Sequence, residues 1–276
     1  MNTEAIATII YNRLQEEKEM LSKQFEASKD AIGYFYIDQL LPEEFAQKIS
    51  ELFPKKEEMV LKKSLREFKH IAAQMDQYDP LLEQVIYAFQ DERIVKLVGE
   101  ICGIEQLEPD AQLYAGGISL MAKDNFLNPH LDNSHDKNRD KWRVLNLLYY
   151  VTPNWEDSYG GHLEVWPDGL NNEPVTIHSK FNRLAVMATH QKSWHSVSPV
   201  TYEGERCCVS NYYFSDSSLT PEDQFHVTSF RARPGQKMKD IILSLDSKLR
   251  MGIRKVFKKG IKENPHVYKK KEDESN

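Results

Sequence analysis

The chain has 276 residues, 40% of them hydrophobic and 28% charged, with a net charge of −6. That size and balance suit a folded protein with one large β-rich domain or two small ones, and they exclude bulk nucleic-acid binding and global disorder. No stretch approaches the roughly 18 apolar residues of a membrane span. The three cysteines, Cys102, Cys207 and Cys208, lack the spacing of a disulfide framework, and the N-terminus has no basic region before its short apolar run. The expected setting is therefore reducing and cytoplasmic.

Residues 4–28 read as one amphipathic helix, with Ile6, Ile10, Leu14, Leu21 and Phe25 near helical spacing. Residues 33–38 read as a short strand. Pro42 sits in the first turn of a helix that runs through Ile49 and Leu52 and stops at Pro54. A charged connection over 55–79 leads to a helix over 80–102, broken around Gln90-Asp91 and ended by Gly103. From about residue 107 short apolar runs alternate with turn clusters. Strands are expected at 112–114, 118–121, 144–151, 160–166, 175–178, 183–188, 195–200 and 206–214, a spacing that indicates a sandwich or barrel. Beyond Pro234-Gly235, residues 237–261 read as a basic amphipathic helix with Ile242, Leu245, Leu249, Ile253, Val256 and Phe257 as its apolar stripe. The expected organisation is one domain over 1–232, with a helical wrap at 1–104 and a β core at 105–232. A basic helix and tail follow at 233–276.

The chemistry concentrates at Asn128-Pro129-His130-Leu131-Asp132 and at His195. Residues separated by one on a strand face the same way, so His130 and Asp132 can grip one ion, and a distant His195 completes two imidazoles and one carboxylate. This set suits Fe(II) and leaves one face of the metal open. A His-x-Asp pair alone is a weak signal. Arg206 adds to it, because it follows His195 across a turn and on the next strand would point its bidentate fork into the same cavity, where it can clamp a carboxylate.

Six blocks in order resemble the Fe(II)/2-oxoglutarate-dependent oxygenases, specifically the prolyl-4-hydroxylase-like branch. They are 128–132, 142–150, 160–166, 182–188, 195–200 and 206–213, and the match covers roughly 105–215. The resemblance implies a double-stranded β-helix (jelly-roll) core within a mainly β fold flanked by helices. It implies Fe(II) on His130, Asp132 and His195, and Arg206 on the distal carboxylate of 2-oxoglutarate. Tyr150 would add a hydroxyl to that carboxylate, with Tyr149 as the alternative if the register slips by one. Asn146 and Leu148 share the face of Tyr150, and Leu163 matches a position that packs on the co-substrate chain. Cys208 stands where many relatives carry a serine, so that either Ser210 compensates two residues on or the hydroxyl is dispensable. The activity implied is hydroxylation of a C–H bond, with O2 and 2-oxoglutarate consumed, succinate and CO2 released, and ascorbate as a stimulant. Because Asp132 is intact, a halogenase is disfavoured.

Other features have plainer readings. His135 extends the motif to His-x-Asp-x-x-His but lies in a charged run, as a loop residue or substrate contact. Trp194, next to His195, is core or a wall of the substrate chamber. The segments at 55–79 and 133–143 are candidate lids. The helix at 237–261 packs on the barrel; an anionic membrane surface or an anionic partner is the less favoured reading. The substrate is peptidyl, for example prolyl, or a small metabolite. Two rival functions stay open: a catalytically silent jelly-roll binding module, and a cupin-type zinc enzyme, which would have no need of Arg206.

Overall fold

The computed structural model describes residues 1–257 and 267–268. In place of one N-terminal helix the chain forms α1 (Thr3–Glu16) and α2 (Lys18–Ser28), because helical geometry breaks at Glu17 (φ −103°, ψ 9°). Asn2 caps α1 by accepting a 2.9 Å hydrogen bond from the Ala5 amide. β1 (Tyr34–Ile37) follows, and then α3 (Glu43–Glu51), which starts one residue late because extended Pro42 holds its N-cap position.

The charged connection at 55–79 is not a plain linker. It contains the hairpin β2 (Val60–Lys63) and β3 (Glu67–Ala72), and β3 pairs with two core strands. Then come α4 (Pro80–Ala88) and α5 (Glu92–Cys102), capped by Asp79 and Asp91, so the break expected near Gln90-Asp91 is a fresh helix start. Gly103 ends α5 in the left-handed region at φ 66°.

The core strands are β4 (Leu107–Pro109), β5 (Gly117–Met121), β6 (Phe126–Leu131), β7 (Trp142–Tyr150) and β8 (Leu163–Val165). They continue with β9 (Val175–Ile177), β10 (Arg183–Ala188), β11 (His195–Val197), β12 (Arg206–Ser215) and β13 (Ser229–Phe230). No strand forms at 112–114. Leu113 takes φ 47°, and buried Asp110 gathers the amides of Tyr114, Ala115 and Gly116 on its carboxylate, which holds this stretch as a loop.

The core is one continuous sheet with two antiparallel four-stranded parts, β10-β7-β12-β5 and β6-β11-β8-β9. β3 bridges β5 to β6 and β1 extends the first part beyond β10, giving the double-stranded β-helix. Strand alternation sorts side chains between barrel and wrap. On β7, Leu145, Leu147 and Tyr149 are at most 1% exposed and join the core shared with α1, α4 and α5. Burying side chains of this kind contributes roughly 1.5–3 kcal/mol each. The intervening Asn146, Leu148 and Tyr150 therefore face the barrel interior.

α6 (Lys237–Val256) follows the core. The expectation that its stripe packs on the barrel fails. Leu243 is its one buried residue, whereas Ile242, Leu245, Leu249 and Val256 are 49–75% exposed. The inward face is polar: Asp240 receives Arg231 and the Ala232 amide, the Ser247 hydroxyl accepts from the Phe230 amide, and Arg250 donates to Thr228 O. Hydrogen bonds, not the apolar stripe, choose the docked face. The part of the expected helix beyond 257 lies outside the described residues. Among the described residues, no helix is long and apolar enough to cross a membrane.

Candidate metal centre

His130, near the end of β6, is paired directly with His195, the first residue of β11, so the two sheet neighbours bring their rings to 4.1 Å between centroids. Asp132 lies one residue past the end of β6. Its Oδ1 is 3.7 Å from His130 Nε2 and its Oδ2 is 3.7 Å from His195 Nε2. One ligand atom from each of the three residues lies within 4.8 Å of the others, a grouping that can hold a metal ion.

The surroundings favour this use. His130 Nδ1 is 3.0 Å from Asn128 O and His195 Nδ1 is 2.9 Å from Ser193 O. Each Nδ1–H can donate to the carbonyl two residues upstream, which aims both Nε2 lone pairs at the shared space. Burial, with help from the neighbouring His195, pushes the His130 pKa down to about 3, so its ring is neutral and free to ligate. Burial opposes charge on Asp132, but His195 and Arg143 outweigh it and keep the carboxyl below its ordinary value. Asp132 Oδ2 is buried without a hydrogen-bond partner, which is costly unless a cation takes it. The donor set fits Fe(II).

The other residues singled out in the sequence gather on β7, β8 and β12. Arg206, 4% exposed, opens β12 and lies over the Tyr150 ring at 5.3 Å. Its Nε is buried without a partner. Tyr150, Leu163 and Cys208 form one apolar cluster, with Leu148 packed against it, and Leu163 is paired with Val197, two residues from His195. Burial raises the Tyr150 pKa, so its hydroxyl stays protonated and available as a donor. Cys208 faces Tyr150 across the sheet, with the Ser210 hydroxyl 3.9 Å from its thiol. Asn146 is 3% exposed and its Oδ1 is unpartnered. Tyr149 points the other way, donating to Asn182 Oδ1 at 2.8 Å among the helices. Gly160 and Gly161, at φ 72° and 70°, are needed here: a Cβ on Gly160 would lie 2.0 Å from Pro199 O, and one on Gly161 would lie 3.3 Å from Arg206 Cδ.

The mouth of the site is a cavity of about 340 Å³ that reaches His130 and Asp132. Neither His135 nor Trp194 lines it. His135 packs at a tilt against Trp142, 4.1 Å between ring centroids, and bonds the Ser134 hydroxyl at 2.8 Å, in a packed corner next to the site. The 133–143 segment is pinned by Asp136, which caps the amides of Asp140 and Lys141.

Sequence reasoning missed three contributors. Phe230 stacks on His130 at 5.1 Å. Arg143 sits 3.7 Å from Asp132 Oδ1, with its guanidinium 4.4 Å from the ring of Tyr212. Strand alternation could have found Tyr212, which shares the inward face of Arg206, but not Arg143, which is in step with outward-facing Leu145 and reaches the site through the register shift opposite Tyr213 and Phe214. Phe230 had no signal, since its two-residue strand is placed by distant pairing with β6 and a bond to Ser247.

Residues 116–214 match the sequence model of the 2OG-Fe(II) oxygenase superfamily. No curated protein sequence matches the chain. Among solved structures, a Phytophthora capsici prolyl 4-hydroxylase is 19% identical with a TM-score of 0.54, over 91% of this chain and 80% of that one. SnoN, a non-heme alpha ketoglutarate dependent epimerase from nogalamycin biosynthesis, is 14% identical with a TM-score of 0.50, over 82% and 89%. A Pseudomonas putida prolyl-4-hydroxylase is 18% identical with a TM-score of 0.46, over 71% and 99%.

Proposed function

We propose that this chain, a 2-oxoglutarate-dependent oxygenase of the 2OG-Fe(II) superfamily through its residues 116–214, hydroxylates an unactivated C–H bond and releases succinate and CO2. The observation that carries the reading is the joint presence of the His130, Asp132 and His195 donors within 4.8 Å and an inward-facing Arg206 in one barrel. A metal site alone would serve a cupin-type zinc enzyme equally well.

Fe(II) held by the three side chains supplies the oxidative chemistry, activating O2 at the expense of 2-oxoglutarate. The remaining roles belong to the protein. Arg206 pairs its fork with the distal carboxylate, and the Tyr150 hydroxyl donates to the same group. Leu163 and Leu148 pack on the methylene chain, Asn146 offers a polar contact to the metal-proximal end, and the Cys208 thiol occupies space without a strong bond. Phe230 stacks on His130 and Arg143 lies beside Asp132, both on the wall of the cavity that reaches the metal ligands. No side chain has to act as a general base.

The fold accommodates both a prolyl hydroxylase and an epimerase, so it does not select the substrate. We take the substrate to be peptidyl or a small metabolite. The test is succinate release by the Fe(II)-loaded protein across peptide, amino-acid and glycan libraries, with mass spectrometry of each stimulating compound. A product heavier by one oxygen atom is expected; stimulation without any oxygenated product would overturn hydroxylation.

A further inference from the structure

The cavity that reaches His130 and Asp132 has an uneven charge. Five cationic side chains line it, Lys62, Arg66, Lys69, Arg143 and Arg250, against the carboxylates of Glu67 and Asp132. Glu67 is 3.1 Å from Lys69, and Asp246 serves both Arg250 at 2.9 Å and Arg66 at 3.7 Å. Setting all three acids against the five cations still leaves two positive charges unmatched, and a metal would claim Asp132.

Two details show that this wall costs stability. Lys62 and Lys69 are direct cross-strand partners on the β2–β3 hairpin, and like charges placed opposite each other are destabilising. Arg143 is 6% exposed, yet its Nε is buried without a hydrogen-bond partner. Its nearest acid is Asp132 at 3.7 Å, and the Tyr212 ring at 4.4 Å fixes its plane without using its N–H donors. A buried guanidinium with unspent donors is expensive unless a ligand takes them.

The co-substrate is not that ligand. Arg143 is paired with Phe214 near one end of β12, and Arg206 opens the other end. Eight residues of strand, about 26 Å, separate the two positions.

We propose that the chamber takes an anionic substrate, whose carboxylate or phosphate is held by Arg143, Lys62, Lys69 and Arg250 while the carbon to be oxidised faces the metal. The proposal rests on the oxygenase reading. Three separate parts of the chain build the wall: the hairpin inserted between β5 and β6, the start of β7, and α6. This gives the hairpin and the polar docking of α6 a purpose, since together they carry four of the five cations to the rim.

The experiment uses the full chain loaded with Mn(II) and 2-oxoglutarate, and proton relaxation enhancement of added probes. The probes are N-acetyl amino acids against their C-terminal amides, and phosphate monoesters against the parent alcohols. Acids should relax faster near Mn(II) and bind at least tenfold tighter than their neutral partners, and the better of the two acid classes identifies the group recognised. Lys62→Gln, on a half-buried hairpin position with no ion pair within 4 Å among the described residues, should weaken acid binding several-fold and leave neutral probes unchanged. Arg143→Gln should weaken it about tenfold or more. Neutral probes binding as tightly as acids, no acid binding at all, or acid binding indifferent to both substitutions would each overturn the proposal. Succinate release by the Fe(II)-loaded protein is measured in parallel. Metal-proximal acid binding without succinate leaves the anionic chamber standing and sinks the oxygenase reading instead.

Discussion

Replacing Arg206 by lysine keeps the charge at the base of the barrel and removes the fork. Arg206 is 4% exposed, lies 5.3 Å over Tyr150, and has a buried Nε with no partner, so its donors are directed at what enters the pocket. Lysine presents a single point of contact where the guanidinium offers two parallel N–H donors. Losing one charge-assisted hydrogen bond costs about 1.5–3 kcal/mol, which is roughly 10- to 150-fold in affinity for 2-oxoglutarate. The lysine amine is also desolvated beside Cys208 and Tyr150, which adds to the loss. The assay is anaerobic calorimetry of 2-oxoglutarate binding to Mn(II)-loaded protein, paired with the KM for 2-oxoglutarate in succinate release. Affinity should fall within that range while metal affinity stays unchanged. A change below about threefold would refute Arg206 as the clamp.

Further outcomes follow from neighbouring positions. Tyr150→Phe should raise the KM for 2-oxoglutarate several-fold, whereas Tyr149→Phe should leave it alone and lower stability by about 1 kcal/mol in a urea titration, through loss of the bond to Asn182. Gly160→Ala should lower the melting temperature sharply or abolish soluble expression, because its Cβ would collide with Pro199 O at 2.0 Å in a left-handed backbone; Gly169→Ala, equally left-handed at φ 81° but with open space around it, should lose much less and controls for the backbone strain. The metal-free protein should lose stability as pH falls from about 6.5 toward 3. Folding depresses the His130 pKa to about 3, so the unfolded chain binds a proton over that interval that the folded chain refuses. A melting temperature with the same pH slope in wild type and His130→Gln would contradict that assignment.

The β core was legible because alternation is local. Leu145, Leu147 and Tyr149 against Asn146, Leu148 and Tyr150 sort to wrap and barrel in the order written, and the register settles Tyr149 among the helices. The grouping of His130, Asp132 and His195 was legible in a His-x-Asp pair with a distant His and Arg206, together with the ordered blocks of the oxygenase resemblance; the direct pairing of His130 with His195 was not. What was not legible depends on contacts far apart in sequence. The β2–β3 hairpin carries Lys62, Lys63 and Lys69 and leaves Val60 and Leu61 exposed, so it has no apolar alternation to read. Phe230 reaches His130 only through a two-residue strand. In α6 the periodic signal was real but pointed outward, because Asp240, Ser247 and Arg250 dock the opposite face.

The central claim is that His130, Asp132 and His195 hold the iron that consumes 2-oxoglutarate. Its most direct measurement is succinate formation from 2-oxoglutarate by Fe(II)-loaded wild type and by His130→Ala, with circular dichroism showing both folded. Succinate from wild type and at least a hundredfold less from His130→Ala is the predicted result. Equal turnover in the two proteins, or none in wild type with any substrate offered, would contradict it.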